Sequence, residues 1–272
     1  MIRLSKQLPL SLIVLTCGFL IQSVSASTVK LPSPELEKLP NGLQVAWFLD
    51  QKLPVIDLGL LITTGTKDDP AGQSGLALLT ASALERGAGT RNQLEFSRAF
   101  ESLGGSFASS VDEDAISIAI HGLSTDTTTL LDLLADSVLA PQFNPQEITR
   151  VQEQERAKWE HLGDSVESLA SFGMARWMSR GSAYSRGSLY SLPEWSRLKT
   201  DDVKNFYQKH FKPHHAILMV VGKGDRTQIR AQIEKRFGPP PGTGAVWFPD
   251  SFDLFQEQIR ARYRKCALGR VF

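Results

Sequence analysis

Cysteine is nearly missing from this chain. Of 272 residues only Cys17 and Cys266 carry thiols, and Cys17 falls in an N-terminal segment that reads as a removable leader. With Cys266 alone in the remainder, no intrachain disulfide can staple the fold. An excess of charge of either sign is missing as well. Thirty Lys and Arg against 29 Asp and Glu leave a net charge of +1, which supplies no general attraction to nucleic acid or to an acidic membrane. Beyond the leader, no apolar run approaches the ~20 residues of a membrane-spanning helix. The chain has no Gly-x-x-x-x-Gly-Lys-Ser/Thr phosphate loop, no Gly-x-Gly-x-x-Gly turn and no Gly-x-Ser-x-Gly elbow.

Histidine is scarce too, with five in all: His121, His161, His210, His214 and His215. The His214-His215 pair precedes a strand pattern, so the two rings are expected on opposite sides. His121 is expected at a strand end, and His161 and His210 near helix ends, where a cation suits the dipole. None of these spacings makes a zinc site.

What is present describes an ordinary globular protein, 42% hydrophobic and 22% charged. Residues 1–26 read as a secretory signal peptide: Arg3 and Lys6, an apolar stretch from Leu8 to Leu20, then Val24-Ser-Ala26. Cleavage is expected before Ser27, giving an exported, periplasmic or secreted chain. Retention as an anchor and lipid modification at Cys17 are the alternatives. Residues 27–36 read as an extended, Pro-punctuated lead.

The stretch that organises the rest is Gly72-Gln-Ser-Gly-Leu-Ala-Leu-Leu-Thr-Ala-Ser-Ala-Leu-Glu-Arg-Gly87. An alternating strand pattern, Val55 to Thr63, leads into it. Leu76, Leu79 and Ala83, with Leu78 and Ser82, recur at helical spacing. Ser74 is expected as N-cap and Gly87 as the stop. Apolar and small residues on nearly every side make it a buried helix. Further strands are expected after the Asn41-Gly42 turn, in a hairpin about Asp112–Asp114 with Ile116, Ile118 and Ile120 on one face, and from Pro213 to Gly222. Helices are expected over Arg91–Leu103, Thr127–Leu139, Gln146 to Trp177 with a break near Gly163-Asp164, Leu192–Leu198, Asp202–Phe211 capped by Thr200, and Arg226–Phe237.

Gly-x-x-Gly-Leu-Ala, a short apolar helix and Arg86-Gly-Ala-Gly-Thr90 resemble the active-site helix of the insulinase/pitrilysin metallopeptidases, which include the mitochondrial processing peptidase. Leu39-Pro-Asn-Gly-Leu43, Leu103-Gly-Gly105 and Phe206-Tyr-x-x-His-Phe-x-Pro213 into Val220-Val-Gly222 extend the resemblance over residues 37–238. It implies an α+β fold: a mixed, largely antiparallel sheet with helices mainly on one face. In active members the helix carries His-x-x-Glu-His, two zinc-binding histidines and a glutamate that polarises the metal-bound water. Here Leu78-Leu-Thr-Ala-Ser82 stands in that place. Leu78 and Ala81 have no lone pair to give, and the Ser82 hydroxyl is a poor zinc ligand. The resemblance puts a third, glutamate ligand roughly 75–80 residues further on, near Trp159 and Glu160. Glu160 within the charged run from Glu147 reads as part of a solvated helix face.

No catalytic, metal-binding or cofactor-binding residue is therefore expected, and no cofactor, zinc belonging to the active relatives. The resemblance implies an exported, non-catalytic homologue that serves as partner or substrate-holding subunit of an active zinc peptidase of the same family, with peptide or protein as substrate. An active endopeptidase with ligands from a longer chain or partner, and a free-standing peptide-binding scaffold, are the alternatives. After Gly238 a Pro239-Pro-Pro-Gly-Thr-Gly244 linker leads to a basic tail ending at 272, or to the start of a second domain.

Overall fold

In the computed structural model the described residues are 33–238, without Gly163 and 187–191. The leader, most of the lead, part of the loop before Leu192, the linker and tail, and both cysteines lie outside them. Strands β1 (Glu35–Lys38) and β2 (Gln44–Leu49) form a hairpin about Asn41-Gly42. Gly42 has φ 86°, the left-handed backbone that such a turn needs, and the Asn41 side chain accepts from the Leu43 N–H at 3.1 Å. There follow β3 (Val55–Ile62), α1 (Leu76–Ala83), the short ribbon of β4 (Gly87–Ala88) and β5 (Arg91–Asn92), α2 (Gln93–Ser102), and the hairpin of β6 (Ser106–Val111) and β7 (Ile116–Leu123). Helices α3 (Thr127–Leu139), α4 (Pro145–Leu162), α5 (Val166–Met178), α6 (Leu192–Trp195) and α7 (Thr200–His210) lead to β8 (Ala216–Gly222) and α8 (Arg226–Phe237).

Period-two alternation builds the sheet. Its order is β1-β2-β8-β3-β7-β6; only β2 and β8 run parallel, and every other neighbouring pair is antiparallel. Leu58 lies between Ile120 and Val220, and Leu60 between Ile118 and Leu218, so the register gathers the branched residues on one face. Those six side chains are buried and share a core with Leu79, Phe96, Leu130, Leu134, Val203 and Ile229 from the helices. Each such burial is worth about 1.5–3 kcal/mol. The other face carries Asp57, Ser117, Ala119 and His121. The α+β fold expected from the resemblance, a mixed and largely antiparallel sheet with helices, is the observed one.

Several local expectations need correction. Ser74 does not cap α1. The N-cap is Gly75, at φ 92°, and the carboxylate of Asp69 reaches forward to accept from Gly75 N (2.7 Å) and Ala77 N (2.8 Å). A carboxylate satisfies two orphan N–H groups and faces the positive end of the helix dipole, which one serine hydroxyl could not match. Helix α1 also ends at Ala83, before Gly87, whose φ of 113° instead suits the β4–β5 ribbon. Thr200 is already helical; Lys199 is the N-cap, and its N–H donates to Asp202 at 2.8 Å. Arg91 belongs to β5, and α2 is capped by Asn92 through a reciprocal pair with Glu95. His121 lies inside β7 and bonds Asp57 at 2.7 Å. His214 and His215 sit in a 3-10 turn (Pro213–His215) instead of a strand. Their rings therefore touch, with centroids 4.3 Å apart, where an extended chain would have separated them.

Candidate functional site

The site begins with the packing of α1. Leu79, Thr80 and Ala81 are buried, whereas Leu78, Ser82 and Glu85, spaced four and three residues apart, share one half-exposed face. Of the three residues standing at the His, Glu and His motif positions, Leu78 and Ser82 are thus on the open face and Ala81, 1% exposed, is in the core. Thr80 spends its hydroxyl on its own helix, donating to Leu76 O at 2.7 Å.

Both ends of α1 are tied down by polar contacts to distant elements. At the start, Ser74 donates through its N–H (3.0 Å) and its hydroxyl to Glu194 of α6, and these bonds hold the Glu194 carboxyl below the usual carboxylate range. Next to it Gln73 donates to Asp202 of α7 at 2.8 Å. At the end, Glu85 accepts from the Ser109 N–H (3.0 Å) and hydroxyl (2.6 Å) on β6, and Arg86 donates to Gln154 of α4 at 3.0 Å. Ser109 is thus reached from the side away from β7. Strand β6 is the last strand of the sheet, beside the motif helix, with its outer side unpaired by any described strand.

Helix α4 packs against α1. Ile148 and Val151 are buried and Trp159 half-buried, a three- and eight-residue progression along one face. Gln152 from the same side donates to Trp195 O and Leu198 O, both at 3.0 Å, and accepts from the Trp195 indole N–H through its backbone carbonyl at 3.1 Å. Glu160 points outward: its side chain is 59% exposed and pairs with Arg156 at 3.0 Å. The inward residue of the two is Trp159, whose ring meets Phe172 of α5 edge-on at 4.8 Å. The helical phase set by Ile148 and Val151 was the sequence signal that separates Trp159 from Glu160.

The residues at the three motif positions cannot hold zinc. Leucine and alanine offer no donor, a lone serine hydroxyl is a weak one, and an indole ring fills the inward place on α4. Among the described residues no group of three or more His, Cys, Asp or Glu is disposed to bind a metal ion. The histidines gather elsewhere. His210 Nδ1 lies 3.1 Å from Thr64 Oγ1, which donates to Asp68 at 2.9 Å, so the imidazole proton on Nδ1 completes a chain ending on a carboxylate. Burial pushes His210 down from its ordinary value, against the pull of Asp68, and burial and the His215 ring push His214 down as well.

Comparison with known proteins bears on this arrangement directly. Residues 45–174 match the profile of the insulinase family, peptidase family M16, and residues 197–265 that of the peptidase M16 inactive domain. An uncharacterized zinc protease of Streptomyces coelicolor is 23% identical over 86% of this chain and 50% of its own length. Cytochrome b-c1 complex subunit 2 of Mus musculus mitochondria is 27% identical over 79% of this chain and 47% of its own. The chain spans about half the length of these curated relatives. The periplasmic protease PqqL of Escherichia coli shares the fold, with a TM-score of 0.71 at 16% identity over 80% of this chain and 25% of that one. The chain belongs to the insulinase family of peptidases, peptidase family M16.

Proposed function

We propose that this chain is a non-catalytic member of the family that works as the partner or substrate-holding subunit of an active zinc peptidase, outside the cytoplasm. The observation that carries the reading is the state of α1. Its frame is intact, anchored by Asp69, Glu194, Glu85 and Arg86, while Leu78, Ala81 and Ser82 cannot supply the water-activating metal. A frame kept without its chemistry fits a role in binding. Strand β6 is the surface suited to it: no described strand pairs its outer edge, and an extended peptide adding there through main-chain hydrogen bonds would take the place of Glu85 on the Ser109 N–H. The relative in the cytochrome b-c1 complex is by name a subunit of an assembly, which supports a partner role. The leader at 1–26 and the periplasmic setting of PqqL support export, with the mature chain starting at Ser27. Residues 37–238 would be the peptidase-like domain and 239–272 a linker and tail or the start of a second domain.

The test is reconstitution. Mixed with a cognate active subunit, the purified chain should raise peptide cleavage at least several-fold, and alone it should hold no stoichiometric zinc by elemental analysis and cleave nothing. One zinc per chain, with peptidase activity lost on chelation, would sink the reading and favour a self-sufficient enzyme.

A further inference from the structure

The contact between Ser109 and Glu85 fixes the layout of the open edge. The Ser109 N–H points away from β7 to reach Glu85, so Ser109 and the Ile118 opposite it exchange no main-chain bonds. The pleat repeats every two residues, and Phe107 and Val111 therefore also turn their N–H and C=O groups outward. The side chains of these three residues lie on the helix side of the sheet. Phe107 meets Phe96 and Phe100 of α2 with ring centroids 5.7 and 5.5 Å apart, and the Ser109 hydroxyl reaches Glu85. Ser106, Ala108 and Ser110 are exposed on the other side. The middle of the open edge is thus held by a carboxylate from just beyond the end of α1.

That carboxylate is half-buried and has no ion pair among the described residues. One oxygen, Oε1, accepts both from the Ser109 N–H (3.0 Å) and from its hydroxyl (2.6 Å), while the neighbouring Arg86 turns to Gln154 of α4. An incoming strand needs the N–H and leaves the hydroxyl. Glu85 then gives up one of its two bonds and stays tethered by Ser109 Oγ on the helix side of the new strand. In antiparallel addition, the pairing β6 already makes with β7, the peptide residue directly opposite Ser109 turns its side chain to that same side. We infer that Glu85 selects the peptide: β6 takes an extended segment with Lys or Arg opposite Ser109 and apolar residues two places to either side, opposite Phe107 and Val111. A cation there pairs with a carboxylate that the peptide itself has partly removed from water, which strengthens the bond. An acidic residue in the same place would set two carboxylates side by side. The inference rests on the reading of β6 as a peptide-binding edge.

The probe is fluorescein-labelled Ser-Thr-Val-Thr-Lys-Thr-Val-Thr-Ser, with two further versions carrying Met or Glu in place of Lys. Each is titrated with the full chain at physiological ionic strength and followed by anisotropy. The Lys peptide should bind about 10-fold more tightly than the Met peptide, and the Glu peptide should bind most weakly. Glu85→Gln keeps an acceptor for Ser109 and removes the charge, so it should bring the Lys and Met peptides to within about 2-fold of each other. A Lys peptide N-methylated at Lys and at both Val lacks the N–H groups that the edge needs and should not bind. Binding that survives this methylation, or no binding by any of the three peptides, overturns the edge reading and the inference with it. Where methylation abolishes binding, equal affinities for the Lys and Met peptides overturn the inference alone, as does a preference that Glu85→Gln leaves unchanged. So does a Glu85→Gln chain that binds all three peptides more tightly by one common factor, the behaviour of a charge that only keeps strands off the edge.

Discussion

Asp69 holds more of the site than any residue of the motif helix itself. It is 1% exposed and takes two N–H groups of the first turn of α1, so removing it strands buried donors as well as a dipole partner. Asp69→Ala should lower stability by about 2 kcal/mol in urea denaturation. Asp69→Asn, which retains one acceptor oxygen, should lose less. The complementary experiment restores the missing chemistry. Leu78→His, Ala81→Glu and Ser82→His together rebuild the zinc motif, but Ala81 lies in the core among Leu79 and Leu84, where a carboxylate finds no partner. The triple variant should lose about 2–4 kcal/mol and gain neither stoichiometric zinc nor peptidase activity. Tight zinc binding with cleavage by the variant alone would mean that the frame is still poised for catalysis.

At the scale of elements, the end of α7 and the turn before β8 form a pH-sensitive joint. His210 faces Asp68 and Thr64 from the loop after β3, with Lys209 and His215 nearby, and His214 faces His215 and Lys212. Both rings are held below the ordinary histidine value, so the unfolded chain binds protons more readily than the folded one. Their contribution is complete above the unfolded value of about 6.5 and is lost as pH falls below it towards the lowered folded values. The urea midpoint should therefore decline between pH 7 and pH 5, and His210→Gln with His214→Gln should flatten that decline. An unchanged slope in the double variant would assign it to carboxylates. Glu194, held below its usual value, acts in a lower window, its share being lost as pH falls below about 4.5. This joint was hidden from sequence reasoning. Strand periodicity continued back through His215 predicted opposed rings, and only the 3-10 turn after Pro213 brings them together. The elements themselves were legible where period and punctuation agreed, as in Ile116, Ile118 and Ile120 or in Thr127–Leu139. Contacts made to the start of α1 from outside the helix, such as those of Asp69 and Glu194, leave no local signature. The inward place of Trp159 could have been read from the phase of α4, since Ile148 and Val151 are apolar in an otherwise charged helix.

Across the whole molecule, the strand that holds the sheet together is the last of the described strands. Strand β8 lies between β2 and β3, so Gln44 meets Ile217 and Ile62 meets Ala216 only after nearly all the intervening chain has been made. Until then two apolar strands, β2 and β3, have no central neighbour and cannot pair with each other across the gap. Contacts this remote in sequence make folding slow, because the loop they close must be ordered before they return anything. A truncated or nascent chain ending before Ala216 would therefore stay open and vulnerable to proteases and aggregation, however well its hairpins form. For a chain proposed to be exported, that delay is useful. A sheet that cannot close until β8 arrives gives the export machinery time to act before the native state forms.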